Sequence, residues 1–293
     1  MSGRAWAALW TVYIVWGSTY LGIKVAGETI PSFFAVSTRF LLAGAVLALW
    51  VGWRRGTRSF RVTRVELASA ALIGLLLPGA NALLFVAEHD VPTGLASLII
   101  ASVPLIVVCL RIAGGERPPR AAVVGVLVGF AGIAVLLNPQ GGATWWGIAL
   151  VGGSAVAWAV GSYLSARLPM PRDVLVATSY EMLAGGLILL PFGLAEQPDP
   201  SSFSHESVLA FLYLVTFGSL IGFTAYIWLL AHVPLGTVST YAYVNPVVAI
   251  ALGVVFLDEV VTWRIAVGAL VVLASVAVVV RRESGAAVEP FAE

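Results

Sequence analysis

The chain writes one apolar unit twice. Residues 92–106, PTGLASLIIASVPLI, align with residues 234–248, PLGTVSTYAYVNPVV, so that Pro92, Gly94, Ser97 and Pro104 fall on Pro234, Gly236, Ser239 and Pro246 at an offset of 142. Within two residues of that shift, Gly17-Ser18 lies on Gly161-Ser162, Leu41 and Gly44 on Leu183 and Gly186, and Glu116 and Gly125 on Glu259 and Gly268. Self-similarity on this scale inside apolar sequence points to two copies of one helical unit packed together.

The solvent for that unit follows from composition. Hydrophobic residues make up 60% of the chain and charged ones 11%, with a mean hydropathy of +0.98. Soluble chains carry roughly a quarter charged residues, so no aqueous fold hides this much apolar sequence and the lipid bilayer is the expected partner. A net charge of +1 gives no sign of nucleic-acid binding. The single cysteine, Cys109, excludes an intrachain disulfide and is expected as a small buried hydrophobe. His89, His205 and His232 fall in expected loops without metal-ligand spacing, so neither a metal nor any other cofactor is expected.

Segments of about 20 mainly apolar residues can cross a bilayer. Ten such segments are present, at roughly 5–23, 31–52, 66–87, 92–112, 120–138, 145–166, 173–195, 207–230, 234–257 and 260–280. The first reads as a retained membrane helix rather than a signal peptide, because it is too long for a signal core and has no cleavage site followed by a soluble domain. The expected fold class is therefore an all-α membrane protein with ten spans. Its first five-helix repeat covers 5–138 and its second 145–282, joined by a linker at 139–144. Residues 1–4 form a short N-terminal segment, and 283–293, small and acidic, an expected disordered tail.

Basic residues orient the spans. With the N-terminus in the cytoplasm, that side receives Arg4, the cluster Arg54, Arg55, Arg58, Arg61 and Arg64, and later Arg111, Arg117, Arg120, Arg167, Arg172, Arg281 and Arg282. Acidic residues such as Glu28, Glu88, Asp90, Glu196, Asp258 and Glu259 collect outside. Both termini are thus expected in the cytoplasm of a cell with this protein in its plasma membrane. Five spans per copy is odd, so the second copy runs inverted to the first. An inverted pair offers two near-equivalent conformations, one open to each face, which is the geometry of alternating access.

Enzyme signatures are missing: no G-x-S-x-G, H-E-x-x-H, Walker A or strand-borne G-x-G-x-x-G occurs, and no enzyme activity is expected. Attention moves to polar residues inside the spans, since an ionised group at mid-membrane costs at least about 2.5–3.5 kcal/mol on insertion scales. Arg39 lies about eight residues into the second span and Glu181 about eight into the seventh, on the same repeat position. At 1.5 Å per residue each is about 12 Å deep, entering from opposite faces. They suit electrostatic coupling with Glu181 as a proton carrier, a fixed ion pair, or separate snorkelling to the two interfaces.

Aromatic and small polar residues recur where an inverted repeat leaves a cavity. The first span offers Trp16, Ser18 and Tyr20, and the sixth Trp158 and Ser162. The third and fourth give Asn81 and Ser97, the eighth and ninth Tyr226, Tyr241 and Asn245. So many donors cannot all face lipid. Close helix packing is the alternative for the hydroxyls, and the interfacial belt for aromatic residues, where Trp145 and Trp146 belong. Pro104 and Pro246, at matched positions, suit a paired hinge or a passive bend. Gly125-x-x-x-Gly129 is a packing face, for another helix of the chain in preference to a homodimer.

The strings WGSTYLGIK at 16–24 and STRFLLAG at 37–44, with the doubled Glu-x8-Gly at 116–125 and 259–268, resemble the EamA-type members of the drug/metabolite transporter superfamily of bacteria. The resemblance covers about 6–138 and 146–281. It implies a ten-helix bundle around a central cavity that exports or exchanges small metabolites, with Trp16, Asn81, Ser97, Trp158, Tyr226 and Tyr241 lining it. It also marks Glu116 and Glu259 as a helix-end motif, Glu116 departing from the pattern because Ala113-Gly114-Gly115 precedes it. The partners expected are a small organic solute, a proton or counter-substrate, and the bilayer. A facilitative uniporter or channel and a non-transporting scaffold are the competing readings.

Overall fold

A computed structural model describes residues 1–136 and 143–286. The described chain is helical with no strand. Its helices are α1 (Gly3–Ala26), α2 (Ser32–Arg55), α3 (Arg64–Ala87), α4 (Thr93–Ile100), α5 (Val103–Ala113), α6 (Arg120–Leu136), α7 (Trp145–Ser165) and α8 (Val174–Ala195). Then follow α9 (His205–Tyr213), a π-helical segment (Leu214–Phe223), α10 (Thr224–His232), α11 (Leu235–Val238), α12 (Tyr241–Phe256) and α13 (Trp263–Ala286). Over their described residues, the ten apolar segments are mainly helical. Six helical stretches are long and apolar enough to cross a membrane: Ser32–Arg55, Arg64–Ala87, Thr93–Ala113, Trp145–Ser165, Val174–Ala195 and His205–His232. Shorter apolar helices run over Arg120–Gly132, Val244–Phe256 and Trp263–Val278.

Local sequence starts several of these helices. Thr63 and Glu66 form a reciprocal capping box at α3, while Thr144 and Asp173 accept from the amides of Gly147 (3.0 Å) and Leu175 (3.0 Å) to cap α7 and α8. Two segments are broken. A turn at Ala101-Ser102 separates α4 from α5 just ahead of Pro104, and a turn at Ser239-Thr240 precedes α12, in which Pro246 lies. The matched prolines therefore do not sit at matched breaks. α13 continues to Ala286, so residues 283–286 are helical rather than tail. The rest of the expected tail, and most of the linker at 139–144, lie outside the described residues. His205 and His232 stand at the start of α9 and the end of α10, not in loops.

Loop contacts fix which helix ends lie together. At one end the Thr144 amide donates to Asp90 O (3.1 Å), Phe33 and Phe34 amides donate to Glu196 (3.2 and 2.9 Å), and Lys24 donates to Glu88 O. At the other end Arg55 pairs with Asp173, Tyr180 donates to Phe60 O (2.8 Å), and Glu116 pairs with Arg111 and Arg167. The start of α7 thus lies opposite the start of α1.

The outer surface is apolar: Leu49 is 73% exposed, Leu127 67% and Val255 69%, the pattern of a lipid-facing wall. Trp145 and Trp146 are exposed at a helix start, where a belt places them. Cys109 also faces outward, contrary to its expected burial, because a helix in lipid gains nothing by hiding a small apolar group. Gly129 and Gly132 pack against α5 and α13 of the same chain, so that face serves internal packing. Closest of all is the crossing of α3 and α8: a Cβ on Gly74 would stand 2.3 Å from Glu181 O, and one on Gly185 2.4 Å from Gly74 O.

Candidate solute site

A cavity lies between the two halves of the chain, with Trp16 from α1 and Trp158 from α7 on its wall. Trp16 directly precedes Gly17-Ser18 and Trp158 stands three residues before the matching Gly161-Ser162, and their rings meet edge to face at 5.2 Å. Tyr226 and Tyr241 complete a four-ring cluster, with Trp16 4.7 Å from Tyr226 and 5.6 Å from Tyr241. Such pairs prefer edge-on and tilted arrangements because of the ring quadrupole. Hydrogen bonds lock the rings: Trp158 Nε1 donates to Tyr226 Oη (3.2 Å), which also bonds Ser162 Oγ (2.6 Å), and Trp16 Nε1 donates to Gly218 O (3.2 Å).

The π-helical segment places Gly218 and Gly222 one turn apart, and both make room for other side chains. A Cβ on Gly222 would stand 2.6 Å from Trp16 Nε1, and one on Gly218 2.8 Å from Arg39 Nη2. Arg39 is 3% exposed, its Nε donates to Ser219 Oγ (2.7 Å), and its Nη1 has no partner. One residue step, Gly218 to Ser219, therefore ties the aromatic cluster to the cation. The cavity volume, as the space open to the centre of a water-sized sphere, is about 60 Å³. That space admits ordered water or a small solute in this state.

Six of the ten expected cavity residues line this space: Trp16, Tyr20, Asn81, Trp158, Tyr241 and Asn245. Tyr226 and Ser162 sit behind the wall as its hydrogen-bonded support. Ser18 and Ser97 do not contribute. Ser18 bonds the Ile14 and Val15 carbonyls and Tyr213 Oη (2.5 Å), and Ser97 bonds Gly94 O (2.8 Å). A helical hydroxyl can satisfy itself on its own backbone, so its presence says little about what it faces. Asn245, in the orientation its neighbours dictate, donates to Tyr13 O (3.1 Å) and Tyr241 O (3.3 Å), bracing α12 against α1.

The charge candidates part company. Arg39 lines the central cavity, whereas Glu181 lines a separate pocket of about 60 Å³ with Met170, Val174 and Ile227. Glu181 is fully buried with neither carboxylate oxygen hydrogen-bonded, and no ion pair joins it to Arg39 among the described residues. Shared repeat position sets depth but not the direction in which a side chain points.

The helix-end glutamates also differ. Glu259 accepts from the Thr93 amide (2.6 Å), the Thr93 hydroxyl (2.8 Å) and the Gly94 amide (3.1 Å), capping α4. Glu116 instead holds Arg111 (2.6 Å) and Arg167. Burial raises the Glu116 carboxyl, but the two guanidinium groups outweigh it and hold the carboxyl below its ordinary value.

Thr19, one of the first-span polar residues expected beside the cavity, lines it too, and sequence reasoning missed Ser154, Gly218 and Phe223, which also line it. The Gly218-x-x-x-Gly222 spacing was the readable signal for one of them. It also missed Glu88, buried with both oxygens unpartnered beside Lys24 and His89 in an adjoining cavity of about 210 Å³ that shares Ile23 with the first. Burial pushes the Glu88 carboxyl well above the carboxylate range; Lys24 opposes that rise and Glu259 adds to it.

With this geometry in place, comparison with known proteins settles the family. The EamA-like transporter family matches residues 4–138 and again 145–281. The chain belongs to this family, within the drug/metabolite transporter superfamily. This EamA-like protein is 36% identical over 252 residues to the uncharacterized inner membrane transporter YedA of Escherichia coli strain K12, covering 84% of the chain and 80% of YedA. It is 26% identical over 283 residues to an uncharacterized transporter of Archaeoglobus fulgidus, covering 94% and 97% of the two chains. Protein PecM of Dickeya dadantii is 27% identical over 260 residues, covering 84% and 82%. One solved crystal structure shares the fold with a TM-score of 0.68 at 23% identity, covering 95% and 96% of the two chains. The EamA-like chain is thus a multi-pass membrane protein of a transporter family.

Proposed function

We propose that this EamA-like protein is a secondary active transporter that exports or exchanges small organic metabolites by alternating access, coupled to protons. In this reading ten spans cross the bacterial inner membrane as two five-helix repeats of opposite orientation. Both termini are cytoplasmic, and the end bearing Glu88 and Glu259 is extracytoplasmic, in keeping with the arginine clusters at the other end.

The observation that carries the reading is the meeting of Trp16 and Trp158. Tryptophans from the corresponding first helices of the two repeats form one wall of a cavity to which both repeats contribute. An inverted pair sharing a site can close either end around it. Glu259 capping α4 while Glu116 rests on arginines supports this, since one motif occupies two environments in one conformation. The aromatic wall suits an organic solute such as an amino acid, an aromatic compound or a toxic analogue. Glu181, a carboxyl buried without a partner, is the candidate proton carrier.

The test is flux in sealed vesicles holding the purified protein, with a panel of amino acids and aromatic metabolites, with and without an imposed pH gradient. Gradient-driven accumulation that Glu181→Gln abolishes is the expected result. Equilibration without accumulation would replace the reading with a facilitative uniporter, and absence of flux across the panel would favour the scaffold.

A further inference from the structure

We propose that the central cavity binds the carboxylate of a small organic acid, with Arg39 as its anchor. The claim that such a solute also crosses the membrane rests on the transport reading above; the claim that it binds does not.

Arg39 is the one charged residue among those lining the cavity, and no acidic residue lines it. It forms no ion pair among the described residues. Glu181, the nearest expected partner, opens into a different pocket. Arginine does not shed its proton in a protein, so the cavity carries a fixed, uncompensated cation in a low-dielectric setting. Such a charge favours an anion entering from water and disfavours a cation.

The geometry gives the anion a chemistry. Ser219 accepts from Nε at 2.7 Å, which fixes the plane of the guanidinium and leaves the Nη end free. Nη1 is buried with no acceptor, and the Gly218 backbone, lacking a Cβ, leaves Nη2 its space. Two parallel donors of this kind match the two oxygens of a carboxylate. The Trp16–Trp158–Tyr241 wall meets the other end of the solute, so that end is apolar. The cavity volume of about 60 Å³ limits the solute in this state to a small one, such as a short monocarboxylate.

The experiment uses butyrate, butyramide and butylammonium as matched probes of the purified full-length protein, with binding read by saturation-transfer NMR up to 50 mM. Wild type is expected to bind butyrate at least about tenfold tighter than butyramide, the size of one charge-assisted hydrogen bond, and butylammonium least. Arg39→Gln is expected to lose the preference for butyrate, and Arg39→Lys, which keeps the charge without the fork, to retain part of it. Equal binding of the three probes, a preference for butylammonium, no binding of any, or an undiminished preference in Arg39→Gln would each overturn the proposal. If Arg39→Gln does not fold, as judged by size exclusion and circular dichroism, the wild-type order and the Lys variant decide. Butyrate that binds through Arg39 but never crosses vesicle walls would sink the transport reading and leave the anion site standing.

Discussion

Glu259 reaches from beyond α12 to Thr93 at the start of α4, where one carboxylate oxygen accepts from both the amide (2.6 Å) and the hydroxyl (2.8 Å) of that residue. The second oxygen takes the Gly94 amide (3.1 Å), so a group of the second repeat satisfies the exposed donors of a helix in the first. A carboxylate at a helix N-terminus is favoured by both its hydrogen bonds and the helix dipole.

Glu259→Gln is expected to lower the thermal midpoint by the equivalent of about 1–2 kcal/mol, since an amide keeps an acceptor but loses the charge. Thr93→Val, which keeps the backbone donor, is expected to cost less. A differential unfolding scan on purified protein reads both. Equal midpoints for wild type and Glu259→Gln would remove the cap from the account.

Glu116 gives a pH dependence whose sign follows from its depressed carboxyl. Its contribution is present above the ordinary value of 4.5 and is lost as pH falls through the lower folded-state value. Stability measured from pH 6 down to pH 3 is therefore expected to fall less steeply in Glu116→Gln than in wild type. Identical slopes would show that the contacts with Arg111 and Arg167 do not favour the ionised form.

Gly222→Ala is expected to displace Trp16, because the new Cβ would stand 2.6 Å from its indole nitrogen. Overpacking of this kind costs about 1–3 kcal/mol and here also breaks the bond to Gly218 O. The fluorescence of a variant retaining Trp16 as its reporter should shift with the substitution. An unchanged spectrum and midpoint would mean that the π-helical segment yields instead.

The helices were readable because a 20-residue apolar run has few other fates. The cavity was partly readable: Trp16, Trp158, Tyr241 and Asn245 are large or polar residues deep in spans, and such groups have to face something other than lipid. Ser18 and Ser97 misled because a helical hydroxyl bonds its own turn. The repeat put Arg39 and Glu181 at one level, yet their side chains enter different pockets, which depends on packing around Gly218 and Gly74 that no spacing encodes. The cap at Thr93 joins residues 166 positions apart. Only the tertiary fold brings them together.

The central claim is that the two repeats lie head to foot across one membrane. Single cysteines at Ser2 and at Thr144, placed in a Cys109→Ser background, test it most directly with a membrane-impermeant thiol reagent added outside intact cells. Labelling of Thr144→Cys, with Ser2→Cys labelled only after the membrane is opened, is the predicted result. Labelling of both from the same side would contradict the antisymmetry and the alternating-access mechanism built on it.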